Sequence, residues 1–151
     1  MELFWKEKDA IRSPEAIWVN FNLNVEQPEN WRMNKCGTLA APDHVRYDGN
    51  RKMHGVQELV YDANLPERSA QELCPKVQQE DTCLCNVYRY SIESLDAPLV
   101  CPGGKTLYNV DNEFEDLRNG FYFLLYNNRW GTNFKQWYEE DMRFEFRILG
   151  M

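Results

Sequence analysis

The chain has 151 residues and a formal net charge of −7, with 14% aromatic and 27% charged residues. That length suits a single domain whose core needs no disulfide or metal to hold it together. Its lysines and arginines are scattered singly and form no basic stripe for phosphates, so nucleic acid is not an expected partner; nor is a membrane, since no apolar run nears the roughly eighteen residues of a spanning helix.

Up to Pro14 the sequence reads as a tail or linker, which leaves residues 15–151 as one domain. This first stretch carries acidic residues and lacks the apolar run of a secretory signal, so the cytoplasm is the default expectation. Ile17, Val19, Phe21 and Leu23 then alternate with Trp18, Asn20 and Asn22, the period of a half-buried strand, and Gln27-Pro28-Glu29-Asn30 ends it. Trp31 to Thr38 is a further strand candidate, while Pro42 and Asp48-Gly49-Asn50 are turn signals, the Asp-Gly pair predicting a hairpin. Val56 to Tyr61 gives another strand, as does Val87 to Ser94 with Tyr88, Tyr90 and Ile92 on one face. Between these two, Glu67 to Leu73 holds good helix formers, enough for about two turns before Pro75 stops it.

Pro98 and Pro102 bracket a short extended piece. Gly120 to Tyr126 is an apolar run of the kind shown by a strand buried on both faces. Met142, Phe144, Phe146 and Ile148 alternate with Arg143, Glu145 and Arg147, one side for a core and the other for water. The spacing of these candidates predicts an all-β antiparallel sandwich with at most one or two short helices. Many rings and modest Ile, Val and Leu predict a core filled by aromatic side chains.

The segment between those last two strands contains Asn127, Asn128, Trp130, Asn133, Phe134, Trp137 and Tyr138 without helical or strand period, apart from room for one helical turn over Phe134 to Glu140. Two readings stand side by side. The rings fold down as a plug over the end of the core, each burying a large area; or at least one stays exposed as a platform for a sugar, with Asn128, Asn133 or Gln136 bonding hydroxyls.

The remaining chemistry is sparse. Only His44 and His54 are present and neither begins a metal-binding pattern, so both read as surface or core-edge histidines. Cys36, Cys74, Cys83, Cys85 and Cys101 are an odd number, which favours free thiols; Cys83-Leu84-Cys85 is a weak metal signal without paired knuckles. The acidic clusters Asp111, Glu113, Glu115, Asp116 and Glu139, Glu140, Asp141 read as solvated loop faces. Asp96, before Ala97-Pro98, suits a turn cap. No cofactor and no metal are expected.

Asn-Asn-x-Trp-Gly-Thr-Asn-Phe-x-x-Trp-Tyr-x-x-Asp-x-Arg-Phe-x-Phe over residues 127–146 resembles the closing segment of uncharacterised proteins related to α-mannosidase-type glycoside hydrolases. Asn50-Arg51-Lys52-Met53-His54-Gly55-Val56 resembles the start of a strand in those proteins, and Ser94-Leu95-Asp96-Ala97-Pro98-Leu99-Val100 a Leu-Asp-Ala-Pro-Leu-Val run, in the same order. The resemblance spans about residues 15–149 except Ala63 to Cys85. It implies part of a mutarotase-like supersandwich, separated from a zinc-holding catalytic domain whose His and Asp motifs are missing here. The function it implies first is a non-catalytic module with a structural or domain-packing role, partnered by a catalytic hydrolase domain or by self-association through an exposed apolar patch. A carbohydrate-binding module using Trp130, Asn133, Trp137, Tyr138 and Asp96 is the alternative, and a small hydrolase with its own carboxylate pair a third.

Overall fold

The structure, a computed structural model, describes residues 1–63, 90–107, 111–129 and 137–150. Among the described residues ten strands are formed: β1 (Glu2–Lys8), β2 (Ala16–Phe21), β3 (Trp31–Lys35), β4 (Thr38–Ala40), β5 (His54–Gly55), β6 (Glu58–Tyr61), β7 (Tyr90–Ser94), β8 (Leu99–Pro102), β9 (Phe121–Asn127) and β10 (Glu140–Gly150). They build two antiparallel sheets packed together, one ordered β1-β10-β7-β6-β3-β4 and the other β2-β9-β8-β5. Among the described residues the helical pieces are two 3-10 turns, Pro28–Asn30 and Leu117–Asn119, and no helix there is long and apolar enough to cross a membrane. The all-β sandwich expected from the strand spacing is the observed fold.

Rings fill its core. From the six-stranded sheet Trp31, Met33, Leu59, Tyr61, Ile92 and Phe146 point inward, and they meet Phe121, Phe123 and Val100 from the other sheet. Phe146 lies 5.0 Å from Phe21 and 5.3 Å from Phe123, centroid to centroid, and Trp31 lies 5.2 Å from Phe121. These tilted and edge-on pairs are the arrangements that aromatic quadrupoles favour.

Several sequence expectations need correction. Residues 2–8, read above as part of a tail, form β1 and pair with β10, so the first residues belong to the sheet. β9 is not buried on both faces: Phe121 and Phe123 are buried while Tyr122 and Leu124 are only half-buried, since among the described residues no second layer covers that side fully. Asp48-Gly49 makes a turn, with Asp48 at φ 62°, but inside a long loop and not between paired strands. A two-residue hairpin turn is instead formed at Cys36-Gly37, whose φ values of 53° and 89° are the left-handed pair that matches strand twist. Residues 137–139 are not helical and Glu140 opens β10; residues 134–136 of that expected turn and the helix expected over Glu67 to Leu73 lie outside the described residues.

Gly120 enters β9 where the chain passes close to the end of β2. Its φ is +84°, and a Cβ there would sit 2.5 Å from the Phe21 carbonyl oxygen and 2.8 Å from the Asn22 Cα. Gly120→Ala is therefore expected to destabilise by about 1–3 kcal/mol, from left-handed strain plus the forced retreat of β2. Urea denaturation checks it; an unchanged midpoint would mean the turn relaxes freely.

Candidate functional site

At one edge of the sandwich, five separated segments enclose a cleft of about 290 Å³ lined by Glu29, Pro42, Asp43, Arg51, Pro102, Phe114, Glu115 and Leu117. Asparagine side chains hold its walls, as expected of a residue that bonds nearby backbone. The Asn50 carboxamide oxygen accepts from the backbone N–H of Lys52 at 2.8 Å and of Met53 at 3.2 Å. Asn112 accepts from the Arg51 N–H at 2.9 Å and donates to the Gly49 carbonyl at 2.9 Å, which ties the two loops together. On the far side Asp116 caps the Leu117–Asn119 turn, accepting from the Arg118 N–H at 2.9 Å. Gly103, at φ +75°, lets the chain pass Glu115 so closely that a Cβ would meet Glu115 Cβ at 2.7 Å.

Beneath the cleft Lys52 is buried and its Nζ lies 2.8 Å from both Asp111 Oδ1 and Glu115 Oε1. Hydrogen bonds that Lys52 donates to Asp111 and then to Glu115 push its pKa up despite desolvation, and the same bond from Lys52 pulls the Asp111 pKa down. Those two carboxylates of the acidic cluster are thus structural counter-ions, not a purely solvated face. They fix the floor on which Phe114 and Arg51 stand.

The polar surface of the cleft is its informative feature. The Arg51 guanidinium lies 4.8 Å over the Phe114 ring, and its Nε is buried without a hydrogen-bond partner. Phe114 itself is 45% exposed. A ring with one face against a guanidinium and open area beside carboxylates presents both an apolar platform and directional donors and acceptors.

The residues singled out from sequence are placed elsewhere. Trp130 and Asn133, with Phe134 and Gln136, lie outside the described residues. Trp137 has the Arg12 guanidinium 5.1 Å over its ring. Tyr138 is exposed, donates to Glu140 Oε2 at 3.1 Å, and its pKa is raised chiefly by that bond. Asn128 is engaged with backbone, accepting from the Glu15 N–H and donating to the Ile11 and Ser13 carbonyls. Asp96 accepts from the Glu145 N–H at 2.7 Å and so ties its turn to β10; the turn itself is closed by Ser94 Oγ, which accepts from the Ala97 N–H at 3.1 Å.

Of the thiols, Cys36 is free and exposed, and Cys101 is free and buried, its pKa pushed up to about 11 by desolvation; Cys74, Cys83 and Cys85 lie outside the described residues. Among the described residues no group of three or more His, Cys, Asp or Glu side chains is arranged to hold a metal ion. The chain has no match among family models, curated proteins or solved structures.

Proposed function

We propose that this chain is a non-catalytic β-sandwich module of the kind found at the C-terminal end of α-mannosidase-like hydrolases, and that it binds carbohydrate in the cleft at Arg51 and Phe114. The observation that carries the binding reading is the Arg51-backed Phe114 ring beside Glu29 and Asp43. Sugar recognition needs an apolar surface for the C–H face of a ring and charged groups that bond adjacent hydroxyls, and the cleft offers both. Its volume of about 290 Å³ is at the small end for ligand sites, which suits a single sugar ring.

Titration of the isotope-labelled chain with mannose, glucose and galactose at millimolar concentration, followed by NMR, tests this reading. Amide shifts are expected at residues 51–53 and 113–117. Phe114→Ala and Arg51→Gln should each weaken binding by roughly tenfold, the equivalent of about 1.4 kcal/mol. Shifts confined to Trp137 and Tyr138 would place the sugar in the aromatic loop instead. No shift with any sugar would remove carbohydrate binding.

A domain-packing role has its own support in the exposed Phe4 and Leu149. Phe4 pairs with Arg143 in the β1–β10 ladder, and Leu149 shares that face six residues further along β10. Two large apolar side chains on one outer face are the start of a patch that a neighbouring domain would cover.

A further inference from the structure

β2 ends at Phe21, yet its alternation runs on: Leu23 and Val25 pack against the core while Asn22, Asn24 and Glu26 are exposed. In extended backbone such alternate side chains stand in a row roughly 7 Å apart. Other asparagines of the chain are occupied locally, Asn20, Asn34, Asn50, Asn112 and Asn127 all bonding backbone groups. Among the described residues the side chains of Asn22, Asn24 and Glu26 have no such partner. Three hydrogen-bonding groups are thus left facing outward in line.

That row adjoins the Arg51–Phe114 cleft. The turns Pro28–Asn30 and Leu117–Asn119 lie against each other, and the 290 Å³ cleft takes Glu29 from the first and Leu117 from the second. A second cleft, of about 160 Å³, takes Pro28 from the same first turn and Leu117 with Arg118 from the same second turn, and Asn22 and Asn24 complete its wall. Asn24 and Val25 also line a third, of about 280 Å³, together with Glu26, Gln27, Tyr61 and Tyr90. There the Gln27 carboxamide oxygen is held by Asn30 Nδ2 at 2.8 Å, and the two phenol rings lie 6.1 Å apart. Each cleft therefore shares a wall with the next, and the polar row lines the second and the third. Regularly spaced amides and a carboxylate, with aromatic rings at both ends, match a ligand that repeats a hydroxylated ring.

We propose that the carbohydrate taken by this chain is an unbranched oligosaccharide lying along all three clefts, an inference that rests on the carbohydrate reading above. One ring sits against Phe114 and Arg51, and the following rings bond Asn22, Asn24 and Glu26 through their hydroxyls.

The isotope-labelled chain is titrated with mannose, glucose and galactose and with the 1,4-linked di- and trisaccharide of each. In at least one series the trisaccharide should bind roughly tenfold tighter than its monosaccharide, and amide shifts should extend from residues 51–53 to 22–27 and 117–118. Asn24→Ala combined with Glu26→Gln changes two exposed side chains, and should bring that ratio down to about threefold or less. Three equivalent rings exchanging through a single cleft give about threefold by statistics alone. A ratio no larger than that in every series of the unaltered chain, with shifts confined to residues 51–53 and 113–117, would overturn the groove and leave single-ring binding standing. A ratio unchanged in the double variant would overturn it as well. No shift with any of these sugars would remove the carbohydrate reading and the groove together.

Discussion

Phe146→Ala is expected to destabilise the domain by about 3–5 kcal/mol, the range for deleting a fully buried ring. Phe146 is 0% exposed and is the residue of β10 whose ring touches both Phe21 and Phe123 of the other sheet. Its loss removes transfer energy and leaves a void between two sheets that cannot close, because β10 is held on both sides by β1 and β7. At this chain length the change should lower the melting temperature by roughly 10 °C. Phe4→Ala makes the control: the same chemical deletion at a ring that is 61% exposed should cost under about 0.5 kcal/mol. Calorimetry and urea denaturation read both. A loss below about 1 kcal/mol for Phe146 would mean that the aromatic cluster does not join the sheets.

That cluster is the part of the fold most legible in the sequence. Phe21 and Phe146 each sit in a run with period two, and a strand with one apolar face has little choice about which side enters the core. β1 was illegible for the opposite reason. Its partner lies about 140 residues away in β10, and the register shifts between Trp5 and Lys8, with Glu7 at φ 51°, so the alternation breaks within seven residues. Lys8 is consequently buried, with an ion pair to Glu15 and the rings of Trp5 and Tyr126 each 5.0 Å away. The Asp48-Gly49 signal failed because a turn becomes a hairpin only when alternating strands flank it, and Tyr47, Asn50 and Arg51 supply none.

The cleft was harder to read than the fold. Glu29, Asp43, Arg51 and Phe114 come from four loops with no periodic signal, and their proximity depends on how two sheets stack. One local clue existed. Phe114 is a lone aromatic inside an acidic run, and an apolar ring among carboxylates needs some contact to justify it; here the contact is Arg51. The neighbouring Asn50 and Asn112 are turn formers by residue type, but which backbone groups they would bind was set only by tertiary contact.

Acidification from pH 6.5 to pH 4 is expected to remove up to about 3 kcal/mol of stability through His54 alone. Burial first, and second the charge of a protonated Lys35, whose Nζ reaches from β3 across to the other sheet and lies 3.0 Å from His54 Nδ1, lower the His54 pKa from 6.5 to about 4, against an opposing contribution from the Arg51 carbonyl. In the unfolded chain the imidazole takes up its proton near pH 6.5, whereas in the folded chain it does so only near pH 4. Between those values the unfolded state binds more protons, so stability falls as pH falls; above pH 6.5 the contribution is constant. Carboxylates titrate over part of the same interval, and comparison with His54→Leu cancels them. The variant's own stability at pH 7.5 is immaterial, since the readout is how the difference between the two proteins changes with pH. That difference should shift by about 3 kcal/mol in favour of the variant by pH 4. Lys35→Met, which removes the nearby charge, should narrow the shift by raising the pKa of His54. A difference that stays constant from pH 7.5 to pH 4 would show that the imidazole is solvated in the folded chain, and with it the inter-sheet contact to Lys35 would have to be abandoned.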